Sequence, residues 1–289
     1  MEKTLKRIFA AMLLCVMMLS LVSCGKKEEE EVDTTGVADG VLTVAMECAN
    51  APYNWAQTDD SNGAVPIKGS ALYANGYDVM IAKAICEKNG WELEVVQLDW
   101  DSLIPALMAG SVDCIIAAQS MTSERLKQID FSIPYMYANV VALTLKDSPY
   151  ANAKGLSDLA GATCTSQSGT TWYDSCLPQV KGADIKMPSE TSPAMLMALE
   201  TGAVDFVVTD IPIAEGAVIA YPDMVILDFT KTDDDFDVPE EEVNLGISVQ
   251  KGNTYLKERI DAYLEGKTAD DYNALMREAI RVQPMSDED

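Results

Sequence analysis

One pattern occurs twice in this chain. Ala106-Leu107-Met108-Ala109-Gly110-Ser111-Val112-Asp113-Cys114-Ile115-Ile116 returns as Ala198-Leu199-Glu200-Thr201-Gly202-Ala203-Val204-Asp205-Phe206-Val207-Val208. Each copy reads as the end of a helix, a glycine that stops it, and a continuous apolar strand. An apolar run without alternation marks a strand buried on both faces, as in a parallel sheet covered by helices. Two such copies predict two α/β lobes of similar design, with a fortuitous likeness between α/β units as the competing reading. The length after the first 40 residues, about 250, is ample for two lobes.

The rest of the chain keeps the same alternation. The first strand is expected at 41–45. A helix follows at 78–89, with Val79, Ala82, Ile85 and Cys86 along one face. Trp91, Leu93 and Val95 alternate as a strand does. Helices are expected at 101–108, 171–177, 191–201 and 211–220, and strands at 114–118, 162–166 and 206–209. This is an α/β chain of mostly parallel sheets flanked by helices. Residues 56–75 read as a long loop, and 233–242 as a loop too acidic to belong to a core.

The N-terminus carries an address. Lys3, Lys6 and Arg7 precede an apolar run over 8–22 that is short for a membrane span. Leu21-Val22-Ser23-Cys24-Gly25 resembles a bacterial lipobox. It implies that residues 1–23 are a signal peptide and that Cys24 is lipidated, anchoring the chain to a membrane without spanning it. A plain secretory signal with a chance cysteine is the alternative. Residues 24–40, charged and nearly free of apolar side chains, read as a flexible tether.

Composition excludes several chemistries. The chain has no histidine, so Ser-His-Asp and Cys-His catalysis and histidine-bound zinc are ruled out. Cys48, Cys86, Cys114, Cys164 and Cys176 show no CxxC pair, so a zinc cage is not expected; no cofactor is expected either. Cys164 and Cys176 could bridge, or remain buried free thiols. A formal net charge of −25 argues against nucleic acid and against broad contact with anionic lipid heads.

The motifs carry a family resemblance. Gly76-Tyr77-Asp78-Val79, Trp100-Asp101-Ser102-Leu103-Ile104-Pro105-Ala106-Leu107 and Met121-Thr122-Ser123-Glu124-Arg125 stand in the same order as in the polar amino-acid-binding proteins of ABC importers. So do Asp130-Phe131-Ser132-Ile133-Pro134-Tyr135, Gln167-Ser168-Gly169-Thr170-Thr171 and the stretch 205–212. The chain resembles this family, extracellular solute-binding family 3, from about Leu42 to its end. The resemblance implies a two-lobed clamshell: lobe 1 from 41–140 and 243–289, lobe 2 from 141–242. Two crossing strands, near 139–143 and 241–247, would join them, with helices at 255–264 and 269–280 returning to lobe 1. It further implies a monomer that captures a free amino acid by clamp closure and delivers it to the permease of an ABC importer, outside the cytoplasm and lipid-anchored. The same fold carries secreted dehydratase-like enzymes and amino-acid sensor domains. An enzyme without histidine would need a carboxylate or lysine as its acid or base, and Glu47 is the one cleft candidate.

A free amino acid presents a carboxylate and an ammonium on one carbon, so its site needs a fixed cation, hydrogen-bond donors and a fixed anion. Arg125 follows a strand end and a Thr-Ser turn and can grip a carboxylate through two parallel bonds. Thr170 and Thr171 stand at a strand-to-helix turn whose N–H groups favour the same anion. Thr171 also has capping-box spacing to Asp174. Asp210 matches the family's ammonium partner and is equally a good N-cap before Ile211-Pro212. Through the resemblance, Ser120 is a hydroxyl donor, Ala118 offers a carbonyl to the ammonium, and Trp100 packs on the ligand's stem. Tyr53 is an aromatic suited to stacking on a ligand. Glu47 matches a position that is acidic in proteins for lysine-like ligands. Asn50 replaces the family's usual aromatic and Trp172 a usual glutamine, which weakens a simple lysine or arginine assignment.

Overall fold

The computed structural model describes residues 37–284. The leader, the lipobox and most of the tether read from the sequence lie outside the described residues. The described residues form one compact unit. Its packing begins with Val37, which is 6% exposed and sits in the core of the first lobe.

The first sheet has the strand order Glu92–Gln97, Val41–Met46, Cys114–Ile115, Ser248–Gln250, Ile129–Phe131. Val41–Met46 is parallel to both of its neighbours, and Ser248–Gln250 antiparallel to both of its own. Leu42, Val44, Ala45 and Met46 are fully buried. The helix Tyr77–Asn89 buries Val79, Ile81, Ala82 and Ile85, and the helices Thr254–Leu264 and Ala269–Val282 pack against it. Each buried valine, leucine, isoleucine or methionine among these contributes about 1.5–3 kcal/mol.

The start of helix Tyr77–Asn89 is built by its neighbours. Its first N–H groups have no partner within the helix. Tyr77 N donates to Pro52 O at 3.1 Å and Asp78 N to Tyr53 O at 2.8 Å. Gly76, at φ 123°, lets the chains approach this closely: a Cβ there would stand 2.3 Å from Tyr53 O. The helix stops at Gly90, which is left-handed and returns its N–H to Cys86 O.

The second sheet has the order Asp184–Ile185, Thr163–Thr165, Phe206–Asp210, Val140–Leu145, Met224–Leu227. Successive strand residues face opposite layers. Val140, Ala142, Phe206 and Val208 enter one core with Leu156, Leu159 and Leu177. Val141, Leu143 and Val207 enter another with Met195 and Leu199 of helix Ser192–Glu200 and Ala214 and Ala217 of helix Ile211–Ala220. Both faces are therefore apolar, which is why the second copy of the repeat reads as a continuous run.

The chain crosses between the lobes twice. Met136–Tyr137 pairs antiparallel with Asn244–Leu245. Each crossing runs on into its new sheet as a strand antiparallel to its neighbours, Val140–Leu145 in one lobe and Ser248–Gln250 in the other. Each sheet thus combines a parallel pair of ladders with an antiparallel pair.

Three local expectations change. The long loop over 56–75 is instead part of a small antiparallel sheet ordered Ala49–Asn50, Asn54–Gln57, Tyr73–Asn75, Val65–Pro66. Its strands have two to four residues, too few for alternation to register. The helix expected at 171–177 is a π-helical turn, Trp172–Cys176, followed by a 3-10 turn, Leu177–Gln179; Pro178 has no N–H with which to continue an α ladder. In 233–242, Phe236 is 8% exposed and belongs to the second lobe's core. A single aromatic among acids has no periodicity to betray it. Cys48, Cys86, Cys114, Cys164 and Cys176 are buried free thiols, and burial pushes those of Cys164 and Cys176 up to about 12.

Candidate functional site: a polar pocket between the lobes

Arg125 lies in the short helix Ser123–Leu126, whose N-cap Thr122 accepts Arg125 N. Its guanidinium donates to Ser120 O at 2.9 Å and, across the lobes, to Gly169 O at 3.2 Å. It sits 5.4 Å from the centroid of the Trp100 ring, and Trp100 Nε1 donates to the same Gly169 O at 3.3 Å. Gly169 is left-handed, at φ 66°, and a Cβ there would stand 3.2 Å from Trp100 Nε1, so glycine is what allows the approach. Its sequence neighbour Glu124 pairs instead with Lys127. Burial lowers the Arg125 pKa to about 10, with Asp174 and Glu242 opposing the shift. Arg125 remains a cation at neutral pH.

Trp100, Ala118, Ser120, Arg125, Thr170 and Thr171 come together around one small cavity between the lobes. Asn50, Gln167 and Trp172 complete its lining. Ala118 is left-handed, at φ 51°, and its N–H is held by Tyr135 Oη at 3.0 Å. Thr170 Oγ1 donates to Gln167 O at 2.7 Å. Thr171 is buried and makes no capping bond, so the expected capping box with Asp174 is absent. Asp174 N donates instead to Thr170 O.

Glu47, Tyr53 and Asp210 stand behind this lining. Both Glu47 carboxylate oxygens accept from Gln167 Nε2 at 3.2 Å. Burial raises Glu47 to about 7, against the pull of Gln167, with Asp99 and Asp101 adding to the rise. Ser192 Oγ lies 3.0 Å from Gln167 Oε1 and 2.9 Å from Asn50 Oδ1. No site role attaches to Gln167 or Ser192 in the sequence alone. The only signal was the position of Gln167 at the head of the Gln167-Ser168-Gly169 turn.

Asp210 is an N-cap, as its position before Ile211-Pro212 predicts: its Oδ1 accepts Ile213 N at 3.0 Å. Its Oδ2 accepts Tyr53 Oη at 2.9 Å. Burial raises Asp210 to about 7, and these two donors pull it back. Tyr53, which the sequence leaves evenly between stacking on a ligand and packing in the core or rim, is fully buried with its ring edge-on to Tyr77. Its hydroxyl is held by the Asp210 carboxylate.

Two lobes, a crossing pair of strands and a cation-bearing polar pocket at their junction are an arrangement for enclosing a small polar solute. The chain belongs to the bacterial extracellular solute-binding proteins, family 3, whose pattern matches residues 42–280. Family membership puts it outside the cytoplasm. It is 30% identical over 223 residues to a probable histidine-binding protein of Campylobacter jejuni, across 76% of this chain and 80% of that one. Its fold is similar to the substrate-binding protein of an amino acid ABC transporter, with 28% identity, a TM-score of 0.69, and coverage of 84% of this chain and 100% of that one. It is also similar to an ancestral arginine-binding protein bound to arginine, with 31% identity, a TM-score of 0.65, and coverage of 82% and 97%.

Proposed function

We propose that this protein captures a free amino acid between its lobes and delivers it to the permease of an ABC importer. The observation that carries the reading is Arg125, a cation at the pocket whose guanidinium reaches groups on both lobes. A ligand carboxylate would take the place of Gly169 O on Arg125 and add the donors of Thr170 and Thr171, while Asp210 would receive the ammonium. Lobe 1, 41–140 with 243–289, and lobe 2, 141–242, then close on a solute that touches both, so ligand favours the closed state. Ser120, the Ala118 carbonyl and Trp100 would complete the wall around the ligand's stem. Glu47 would act through Gln167, which stands between it and the pocket.

The chain would work as a monomer, held at the membrane by lipid on Cys24 after removal of residues 1–23. A dehydratase-like enzyme is the weaker reading, because Glu47, the one carboxylate weighed as a general acid, is engaged by Gln167. The test is a thermal-shift screen of the purified protein against the amino acids and related zwitterions, beside Arg125→Ala. A ligand at about 100 times its Kd adds about 2.7 kcal/mol. A shift confined to one chemical class and lost in the variant is the expected result. No shift with any amino acid, in protein free of co-purified ligand, would overturn the assignment.

A further inference from the structure

Tyr53 and Asp210 belong to different lobes and touch. Tyr53 lies between the strands Ala49–Asn50 and Asn54–Gln57 of the first lobe, and Asp210 ends the strand Phe206–Asp210 of the second. They are 0% and 3% exposed, with Oη 2.9 Å from Oδ2. The phenol is aimed by the first lobe alone. Tyr53 O accepts Asp78 N at 2.8 Å, Gly76 closes over that carbonyl, and the ring packs at 80° to Tyr77.

The charge environment of Asp210 is unusual for a buried carboxylate. Its two contacts, Ile213 N and Tyr53 Oη, are neutral donors. The titratable groups around the pair are Tyr53 itself, Asp78 and Tyr135, two phenols and a second carboxylate. A carboxylate offers roughly four acceptor positions, and two are taken. An ammonium could use the others, and among the described residues no cation bonds to Asp210.

We propose that Tyr53 is a positioning residue for ammonium recognition: its hydroxyl donates across the lobe boundary to Asp210, holding that carboxylate ionised and aimed, so that closing the lobes assembles the ammonium site. This rests on the reading of Asp210 as the partner of the ligand's α-ammonium. A hydrogen bond to an ionised acceptor stabilises the charged form over the neutral one. Removing the hydroxyl therefore leaves Asp210 easier to protonate and less able to pair with a cation.

The test uses Tyr53→Phe, Asp210→Asn and the double variant of the purified protein. In the ligand-free state, carbon-13 carboxyl NMR follows the aspartates, with Asp210→Asn assigning the resonance. The Asp210 titration midpoint is expected to rise in Tyr53→Phe, and an unmoved midpoint overturns the proposal. Affinity for L-arginine and L-histidine is then measured from pH 5.5 to 8.5. Tyr53→Phe should bind about tenfold more weakly near neutral pH, with the gap widening as pH falls and narrowing as it rises. A loss of equal size at every pH would mark a merely structural role and overturn it. In the Asp210→Asn background, Tyr53→Phe should add little; full additivity also overturns it. If Tyr53→Phe fails to fold, a fluorinated tyrosine at 53, a stronger donor, should lower the Asp210 midpoint instead. If the unaltered protein binds no amino acid, the ammonium reading fails by itself, and the titration still decides whether Tyr53 governs Asp210.

Discussion

Tyr135 Oη donates to Asp78 Oδ1 at 2.6 Å and accepts Ala118 N at 3.0 Å. The second Asp78 oxygen takes Asn54 Nδ2 at 2.7 Å. Tyr135 directly precedes the crossing strand Met136–Tyr137. One hydroxyl therefore links the start of helix Tyr77–Asn89, the crossing and the left-handed residue that lines the pocket.

Tyr135→Phe keeps the ring and removes that link. It strips a donor from Asp78 and the acceptor from Ala118 N. Leaving buried polar groups unpaired costs about 1–3 kcal/mol each. We expect a lower urea midpoint with an unchanged slope, and weaker ligand binding. An unaltered midpoint would show that water replaces the hydroxyl.

Stability should rise on mild acidification. Burial raises Glu47, Asp78 and Asp210 to about 7, from ordinary values of 4.5, 3.8 and 3.8. Between the ordinary and raised values the folded state binds more protons than the unfolded one, so stability falls as pH rises through that window. The limiting slope is about 1.4 kcal/mol per pH unit for each group, shared where Asp78 and Asp210 titrate together. Tm should therefore increase from pH 7.5 to pH 5. Asp130 and Asp228, held below their ordinary value, reverse the trend only at lower pH. Calorimetry across this range is the check, and Asp78→Asn should flatten the curve.

Gln167→Leu removes the one donor shared by both Glu47 oxygens. Glu47 is then buried without a partner, which is costly only while it is ionised. The variant should be markedly destabilised at pH 8 and much less so at pH 5. Equal destabilisation at both values would attribute the effect to packing.

Gly76→Ala places a Cβ 2.3 Å from Tyr53 O at φ 123°. Strain of this kind, added to displacement of the loop that caps helix Tyr77–Asn89, should cost about 3 kcal/mol or more. Chemical denaturation measures it. Since the same loop carries Tyr53, ligand binding should fall with it.

Expression in a bacterium fed labelled palmitate tests the anchor. The unaltered chain should carry label and stay with membranes, and Cys24→Ser should lose both. Label retained in Cys24→Ser would place the lipid elsewhere.

What was legible in the sequence was what repeats locally. The helix expected at 211–220 coincides with Ile211–Ala220, and the strand at 206–209 with Phe206–Asp210. Their apolar pattern is imposed by burial on both faces of a sheet and needs no distant information. Arg125, Thr170 and Thr171 could be named because turn chemistry marks them, Ser120 and Trp100 only through the family resemblance, and all five line one pocket. What only the tertiary structure decided are contacts with no local signature. Tyr53 meets Asp210 across 157 residues, and Gln167 meets Glu47 across 120. Phe236 enters a core from within an acidic loop. Such pairings depend on how two crossing strands bring one lobe against the other, and no periodicity along a chain encodes the partner that a side chain finds only in the packed lobes.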